Sequence, residues 1–441
     1  MDKELLIECY KDYKDKKNII FSKINDYYDG KTDSLNNFKP IEGRSNLKIK
    51  TNFMAKLVDE EASYSFSNDV TYTAKDGNEQ VIKDIDYYLS NKKMDHDINL
   101  GTELVKYCGA FEISYLKNNS IKLRIVTPLN GYVYFDEDDE VEFFFHIFSK
   151  GIGKNKKNYI DVYDKNYIYH FDENFNEVAE VTPHIFGFVP VGVGYIGDLN
   201  GSKTIYSKTK TIQDAFETNF SDITCEISDF RNAILKTYGI SLDDEDEEGN
   251  KVEPIMKNNN ILSFTDKSKE DAEWLIKNIN DTFIKNTMDR QIDLIYTLTN
   301  HINNNEKMQS NLSGIALRSR LQQLEAKCKL NEKAMGNILQ TRLRCLFRFL
   351  EITQNKKYDV NNIKIQFTPC IPVDTTQIAD IISKIPHEVV SNETKRSLLP
   401  FVENPLAEGK RIEAENKANM ELFPDLDNLK VDENNDESAE I

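Results

Sequence analysis

Ser313-Gly314-Ile315-Ala316-Leu317 opens a proline-free run that continues to Leu350. The run is long enough for one helix of about 57 Å. Apolar residues fall at Leu317, Leu321, Leu324, Cys328, Met335, Leu339, Leu343, Leu346 and Leu350, spacings of three, four or seven that draw one stripe along a helix. Between Arg318 and Arg348 stand eight basic residues (Arg318, Arg320, Lys327, Lys329, Lys333, Arg342, Arg344 and Arg348), opposed only by Glu325 and Glu332. An i,i+4 pair such as Glu325 with Lys329 uses some of that charge. The surplus points either to a solvated face or to acidic neighbours, in another subunit or on a polyanion. Arg318 and Arg320 are therefore interface candidates.

The rest of the chain is acidic. Its 441 residues carry a net charge of -18, with 39% hydrophobic and 29% charged residues, a globular composition with room for more than one domain. That charge disfavours a protein that coats DNA, because non-specific DNA binding needs a basic face. Cys9, Cys108, Cys225, Cys328, Cys345 and Cys370 are scattered without a CxxC and read as free, buried thiols of a reducing compartment. The first residues are too acidic and too briefly apolar for a signal peptide, and no apolar run approaches the ~20 residues of a membrane span. Synthesis in the cytosol is expected.

Helices are predicted over residues 1–30, 46–64 and 84–96. From 110 to 188 the pattern turns to β, with strict alternation at 121–126 and a hairpin of 159–163 and 167–171 around Asp164-Lys165-Asn166. Long helical stretches at 203–236 and 269–302 flank a β-like insert holding the acidic run Asp243, Asp244, Glu245, Asp246, Glu247 and Glu248 and a strand at 261–264. A polar segment containing Asn303, Asn304, Asn305, Lys307, Gln309 and Asn311 separates the second stretch from the basic helix. A strand at 363–367, helices near 375 and at 392–399, and an acidic tail over 425–441 expected to be disordered complete the chain. The fold class is α+β.

The motifs that suggest chemistry are weak. Gly192-Val193-Gly194-Tyr195-Ile196-Gly197 fits GxGxxG, but that fingerprint works only where a helix opens inside it and presents N–H groups to a pyrophosphate; here Asp198-Leu199-Asn200-Gly201 continues as loop. Gly201-Ser202-Lys203-Thr204 lacks the Gly-Lys step of a phosphate-binding loop. Asp244, Asp246, Glu248 and Gly249 echo a calcium loop, yet Ile255 stands where the bidentate Glu belongs. The histidines are isolated, which speaks against a metal site, and no nucleophile elbow is present. No catalytic residue, metal or cofactor is expected. Trp274, among apolar residues at helical spacing, reads as core or subunit interface.

Six short pieces, in order along nearly the whole chain, resemble the portal proteins of tailed bacteriophages, in the branch similar to the Bacillus phage SPP1 portal. They are Tyr27-Tyr28-Asp29-Gly30; Asn46 with Asn52-Phe53; His184-Ile185-Phe186-Gly187-Phe188-Val189-Pro190-Val191; Gln213-Asp214-Ala215-Phe216; Ser313-Gly314-Ile315-Ala316-Leu317 with Leu324-Glu325-Ala326-Lys327; and Ser391 through Thr394 to Asn404-Pro405. The resemblance implies a portal fold: an α/β wing (1–201, completed by the long helix and strand of 313–372), stem helices (202–237 and 267–302), a small β-containing clip (238–266), a tunnel loop (303–312) and a short helical crown (373–424) before the tail (425–441). It also implies a non-enzymatic, homo-oligomeric ring, commonly a dodecamer, at the capsid vertex of a virion or prophage, assembled in the host cytoplasm. Double-stranded DNA would pass through it during packaging and ejection. The expected partners are the large terminase subunit, the head-completion adaptor, scaffold and the major capsid protein, with no membrane. Asn303, Asn304, Asn305, Lys307, Gln309 and Asn311 would face DNA, and the acidic run 243–248 would face the terminase or adaptor. Another virion connector or minor capsid protein, or a nucleotide-binding enzyme using Gly192–Gly197, are the rival readings.

Overall fold

The computed structural model describes residues 2–40, 44–90, 92–230, 235–238, 244–245, 251–252, 261–264, 281–303, 314–370, 380, 382–386, 388–399, 402 and 405–422. Two units separate, Met1–Cys370 and Ile371–Ile441. The first begins with α1 (Lys3–Lys16), a π turn (Lys17–Phe21), α2 (Ser22–Tyr28) and the short α3 (Asp33–Asn37), followed by α4 (Phe53–Phe66), β1 (Thr71–Ala74), α5 (Glu79–Leu89) and α6 (His96–Tyr107).

Strands β2 (Gly109–Lys117), β3 (Ser120–Val126), β4 (Gly131–Phe135), β5 (Val141–Lys150), β6 (Lys157–Tyr163), β7 (Tyr167–Asp172), β8 (Thr182–Pro183) and β9 (Val191–Tyr195) follow. They form a three-stranded sheet, β3-β2-β9, and a five-stranded antiparallel meander from β4 to β8. The run Phe143-Phe144-Phe145 in β5 lacks the alternation of a half-exposed strand because both faces are covered. Phe143 and Phe145 pack with Leu6, Tyr10 and Tyr13 of α1, and Phe144 packs with Phe111 and Val191 of the smaller sheet.

Beyond β9 run α7 (Ile205–Phe230), the parallel pair β10 (Leu235–Tyr238) and β13 (Ile261–Phe264), and the antiparallel pair β11 (Asp244–Glu245) and β12 (Lys251–Val252). Then come α8 (Asp281–Thr299), α9 (Gly314–Gln354) and β14 (Ile363–Gln366), which pairs with β1. The largest core lies where α2, α4, α6, α7, α8 and α9 converge, around Met54, Leu57, Leu104, Ile295, Met335 and Ile338. The second unit holds α10 (Asn392–Ser397), whose N-cap Ser391 accepts from Thr394 N–H at 3.2 Å, and α11 (Pro405–Leu422).

Several expectations change. The helix predicted over 46–64 starts only at Phe53, because Asn52 sits in the left-handed region (φ 47°) and breaks the chain there. Residues 46–51 are non-helical, and Leu47, Ile49 and Thr51 alternate with lysines and Asn46 at the period of an extended chain. The helix predicted over 84–96 is two helices broken at 90–95, α5 being started earlier by Asn78, whose side chain accepts from Gln80 N–H. Leu235 and Lys236, placed in the helix 203–236, belong to β10. Asn300, at φ 60°, ends α8 at Thr299, three residues before the predicted limit. Part of 269–302 and the helix near 375 lie outside the described residues. Five described basic residues of α9 find partners within the chain: Lys327 and Arg342 pair with buried carboxylates, Lys329 pairs with Glu332 at 2.8 Å rather than with Glu325, Arg348 with Glu351 at 2.6 Å, and Arg344 lies over the Phe188 ring at 4.5 Å. Five cysteines are free and buried as expected; Cys370 is free but exposed.

Candidate functional site

Gly192 and Gly194 of the GxGxxG run lie in β9 and Gly197 in the bend just after it, none of them at a helix start. A Cβ on Gly192 would meet the Ile338 carbonyl oxygen at 2.7 Å, and one on Gly194 would meet that of Ala334 at 2.5 Å. Their missing side chains let β9 press against the backbone of α9. That contact accounts for the motif without a nucleotide.

Helix α7 carries a ladder of polar groups four residues apart. Glu217, Ser221, Cys225 and Asp229 accept the main-chain N–H groups of Thr51 (3.1 Å), Ile49 (3.0 Å), Leu47 (3.1 Å) and Ser45 (2.8 Å). The match is metric: four helical residues rise about 6 Å, and two extended residues about 6.6 Å, so a strand laid antiparallel to the helix meets one acceptor per turn. The Glu217 carboxylate, wholly buried, also accepts the hydroxyls of Thr51, Ser34 and Thr32. One turn earlier Asp214 accepts from Tyr27 Oη at 2.7 Å and pairs with Lys210 at 2.8 Å, and Lys210 reaches Asp33 at 3.1 Å. Burial works against the Lys210 charge, yet Asp214, Tyr27 and Asp33 together hold its pKa above the ordinary lysine range. The segments around 27–34 and 45–51 are thus bolted to α7 along most of its length.

A second buried cluster ties down both flanks of residues 304–313. Glu61 of α4, 1% exposed, takes Lys327 Nζ and Asn331 Nδ2 (2.6 Å) from α9, and His301 Nε2, just past α8, lies 3.8 Å away. Lys327 also donates to the Thr299 carbonyl at 3.3 Å. His301 sets its ring nitrogens against the carbonyls of Thr299 (2.9 Å) and Leu57 (3.1 Å). Burial first, and the Lys327 charge after it, push the imidazole pKa down to about 4.

The third cluster fixes the far part of α9. Arg342, fully buried, makes a two-pronged bond to Glu112 of β2 (Nε–Oε2 and Nη2–Oε1, both 2.7 Å) and reaches Asp97 of α6 at 2.8 Å. His96 Nε2 lies 2.7 Å from Glu112 Oε1, and Lys92 pairs with Asp97. Against burial, Arg342 and Lys92 hold the Asp97 carboxyl down to about 2, and Glu112 is lowered by Arg342 in the same way. A planar guanidinium suits this two-carboxylate socket, where lysine offers only a point charge.

Of the residues singled out from sequence, Asn303 lies four residues past the last residue of α8 and donates to Asp293 at 3.1 Å. Asn304, Asn305, Lys307, Gln309, Asn311, Trp274, Asp243, Asp246, Glu247 and Glu248 lie outside the described residues. Asp244 and Glu245 lie on β11 and Arg318 and Arg320 on the first turns of α9, with only their backbones described. Sequence reasoning missed Glu61, Glu217 and the Arg342 socket. Glu61 and Arg342 sit on helix faces that are otherwise apolar, Glu61 after Leu57 and Val58 and Arg342 between Leu339 and Leu346, and that misfit was the available signal, whereas Glu217 lies on the polar face of α7. Among the described residues no cluster of His, Cys, Asp and Glu that could hold a metal is found, and no helix is long and apolar enough to cross a membrane.

Long helices are thus bolted through buried polar groups to an α+β body. The chain belongs to the phage portal protein family, SPP1 Gp6-like, whose family model matches residues 9–422. A comparison with curated proteins gave no match. As a phage portal protein it is a virion component of the capsid vertex, acting in DNA packaging as part of an oligomeric assembly.

Proposed function

We propose that identical copies of this chain close into a dodecameric ring whose channel conducts double-stranded DNA into the capsid during packaging and out at ejection. In this reading α7 and α8 belong to the stem (202–237 and 267–302), 303–312 is the tunnel loop nearest DNA, and 238–266 is the clip that meets the large terminase subunit and later the head-completion adaptor. Residues 1–201 and 313–372 form the wing, 373–424 the crown, and scaffold and the major capsid protein surround the assembled ring. The ring assembles in the host cytoplasm.

The observation that carries the reading is the anchoring to α4: its Leu57 carbonyl meets His301, just past α8, at 3.1 Å and its buried Glu61 carboxylate holds Lys327 on α9, so both flanks of 304–313 are tied to the body. A segment that meets a moving polyanion needs rigid mounts and few cations of its own, and here Lys307 is the one basic residue between Asn303 and Leu312. Electron microscopy of the purified chain, classified by rotational symmetry, tests the proposal. Closed rings with a central channel and twelvefold symmetry are expected; a homogeneous monomer or dimer at every concentration and with scaffold present overturns it.

A further inference from the structure

The two turns that flank β5 carry opposite charge. Between β4 and β5 the chain reads Asp136-Glu137-Asp138-Asp139-Glu140, five consecutive carboxylates, all exposed. The turn is ordered: Asp136 Oδ1 accepts the N–H groups of Asp138 and Glu140 at 2.9 Å each, and Asp139 takes φ 59°. Between β5 and β6 the chain reads Lys150-Gly151-Ile152-Gly153-Lys154-Asn155-Lys156-Lys157, exposed throughout, with Ile152 93% exposed. This turn too is hydrogen-bonded, Asn155 and Lys156 donating their main-chain N–H groups to the Ile152 and Gly153 carbonyls at 3.3 and 3.2 Å. Lys14 and Lys17 add cations beside Lys156, while Glu173 brings one carboxylate to this end, bound by Asn158. Among the described residues none of the side chains of either turn makes an ion pair.

The turns cannot satisfy each other within one subunit. Ten residues of β5 set them ~33 Å apart, more than three screening lengths of about 10 Å at 0.1 M salt. In a closed ring of identical subunits, each contact joins one face of a chain to a different face of the next, so two complementary surfaces on opposite ends of a rigid strand can serve every junction. Resting on the ring reading above, we infer that the acidic 136–140 turn of one subunit docks against the basic 150–157 turn of its neighbour, with Ile152 entering the contact. In a chain of net charge -18, a lysine-rich apex without carboxylates is the feature best matched to such a turn.

The test uses two full-length variants whose substitutions are all solvent-exposed. K154E/K156E removes the positive charge of the basic turn, and E137K/D138K removes most of the negative charge of the acidic one. Ring formation by the parent and by each variant is followed by light scattering and negative-stain microscopy at ~0.1 M salt, with circular dichroism melts to verify folding. The expected result is that each variant needs at least tenfold more protein than the parent to assemble while melting as the parent does. A variant that folds and assembles as the parent does overturns the inference alone. A parent that forms no ring at any concentration overturns the ring reading and this inference with it.

Discussion

Glu217 accepts both the main-chain N–H and the hydroxyl of Thr51, at 3.1 and 3.0 Å, across 166 residues of sequence. A buried carboxylate with several donors is costly to remove, because the donors are left dry and unpaired. Glu217→Ala is expected to lower stability by about 3 kcal/mol, and Ser221→Ala, which removes one acceptor, by about 1 kcal/mol. Urea unfolding of both variants checks the ratio; equal small losses would show that water replaces the protein partners.

Arg342→Met leaves Glu112 and Asp97 buried without their main cation and is expected to cost about 3–5 kcal/mol. The pH dependence carries the same signature. Asp97 is held at about 2, below its unfolded value near 3.9, so its contribution is complete above pH ~4 and is lost as pH falls towards 2. Thermal melts of the parent should drop through that window, and melts of Arg342→Met should lose much of this dependence.

His301 acts in a different window. Its folded pKa of about 4 lies below the unfolded ~6.5, so the unfolded chain binds the extra proton first. Stability is complete above pH ~6.5 and declines by up to about 3 kcal/mol as pH falls to 4. His301→Gln should flatten the melting temperature between pH 6.5 and 4 while leaving the lower Asp97 transition in place.

Gly194→Ala tests the contact of β9 with α9. The new methyl would meet the Ala334 carbonyl, so the helix must shift at a cost of roughly 1–3 kcal/mol. Gly77 provides the contrast: no atom lies within 4 Å of the place a methyl would take there, and Gly77→Ala should cost only the strain of its positive φ, about 1 kcal/mol. Denaturation midpoints of the two variants separate crowding from backbone strain.

Replacing Lys307 and Asn303 to Asn305 with Ala addresses the proposed tunnel loop. DNA packaged per capsid is expected to fall at least severalfold with ring formation intact, since Glu61, His301 and Lys327 still mount the segment. Parental packaging with intact rings would remove these residues from the DNA path.

Much of the fold is legible in the sequence. The stripe from Leu317 to Leu350 predicts α9, observed as Gly314–Gln354, and the hairpin around Asp164-Lys165-Asn166 is β6 and β7. The helix predicted from 46 begins too early because Leu47 and Ile49 lie close to a true amphipathic helix, and their apolar side chains merge with its pattern. The buried anchors are hidden for another reason: Glu61, Glu217 and Arg342 look in one dimension like solvated charges of surface helices.

The sequence by itself determined the helices and strands, the acidic and basic stretches and the resemblance to phage portals, because backbone preference and burial period are written within windows of ten to forty residues. Tertiary structure alone decided that Glu61 meets Lys327, that Glu112 meets Arg342, and that an extended strip from Ser45 to Thr51 lies along α7. A buried charge is tolerable only where its partner arrives from another segment, and which segment arrives depends on how the helices and sheets pack together.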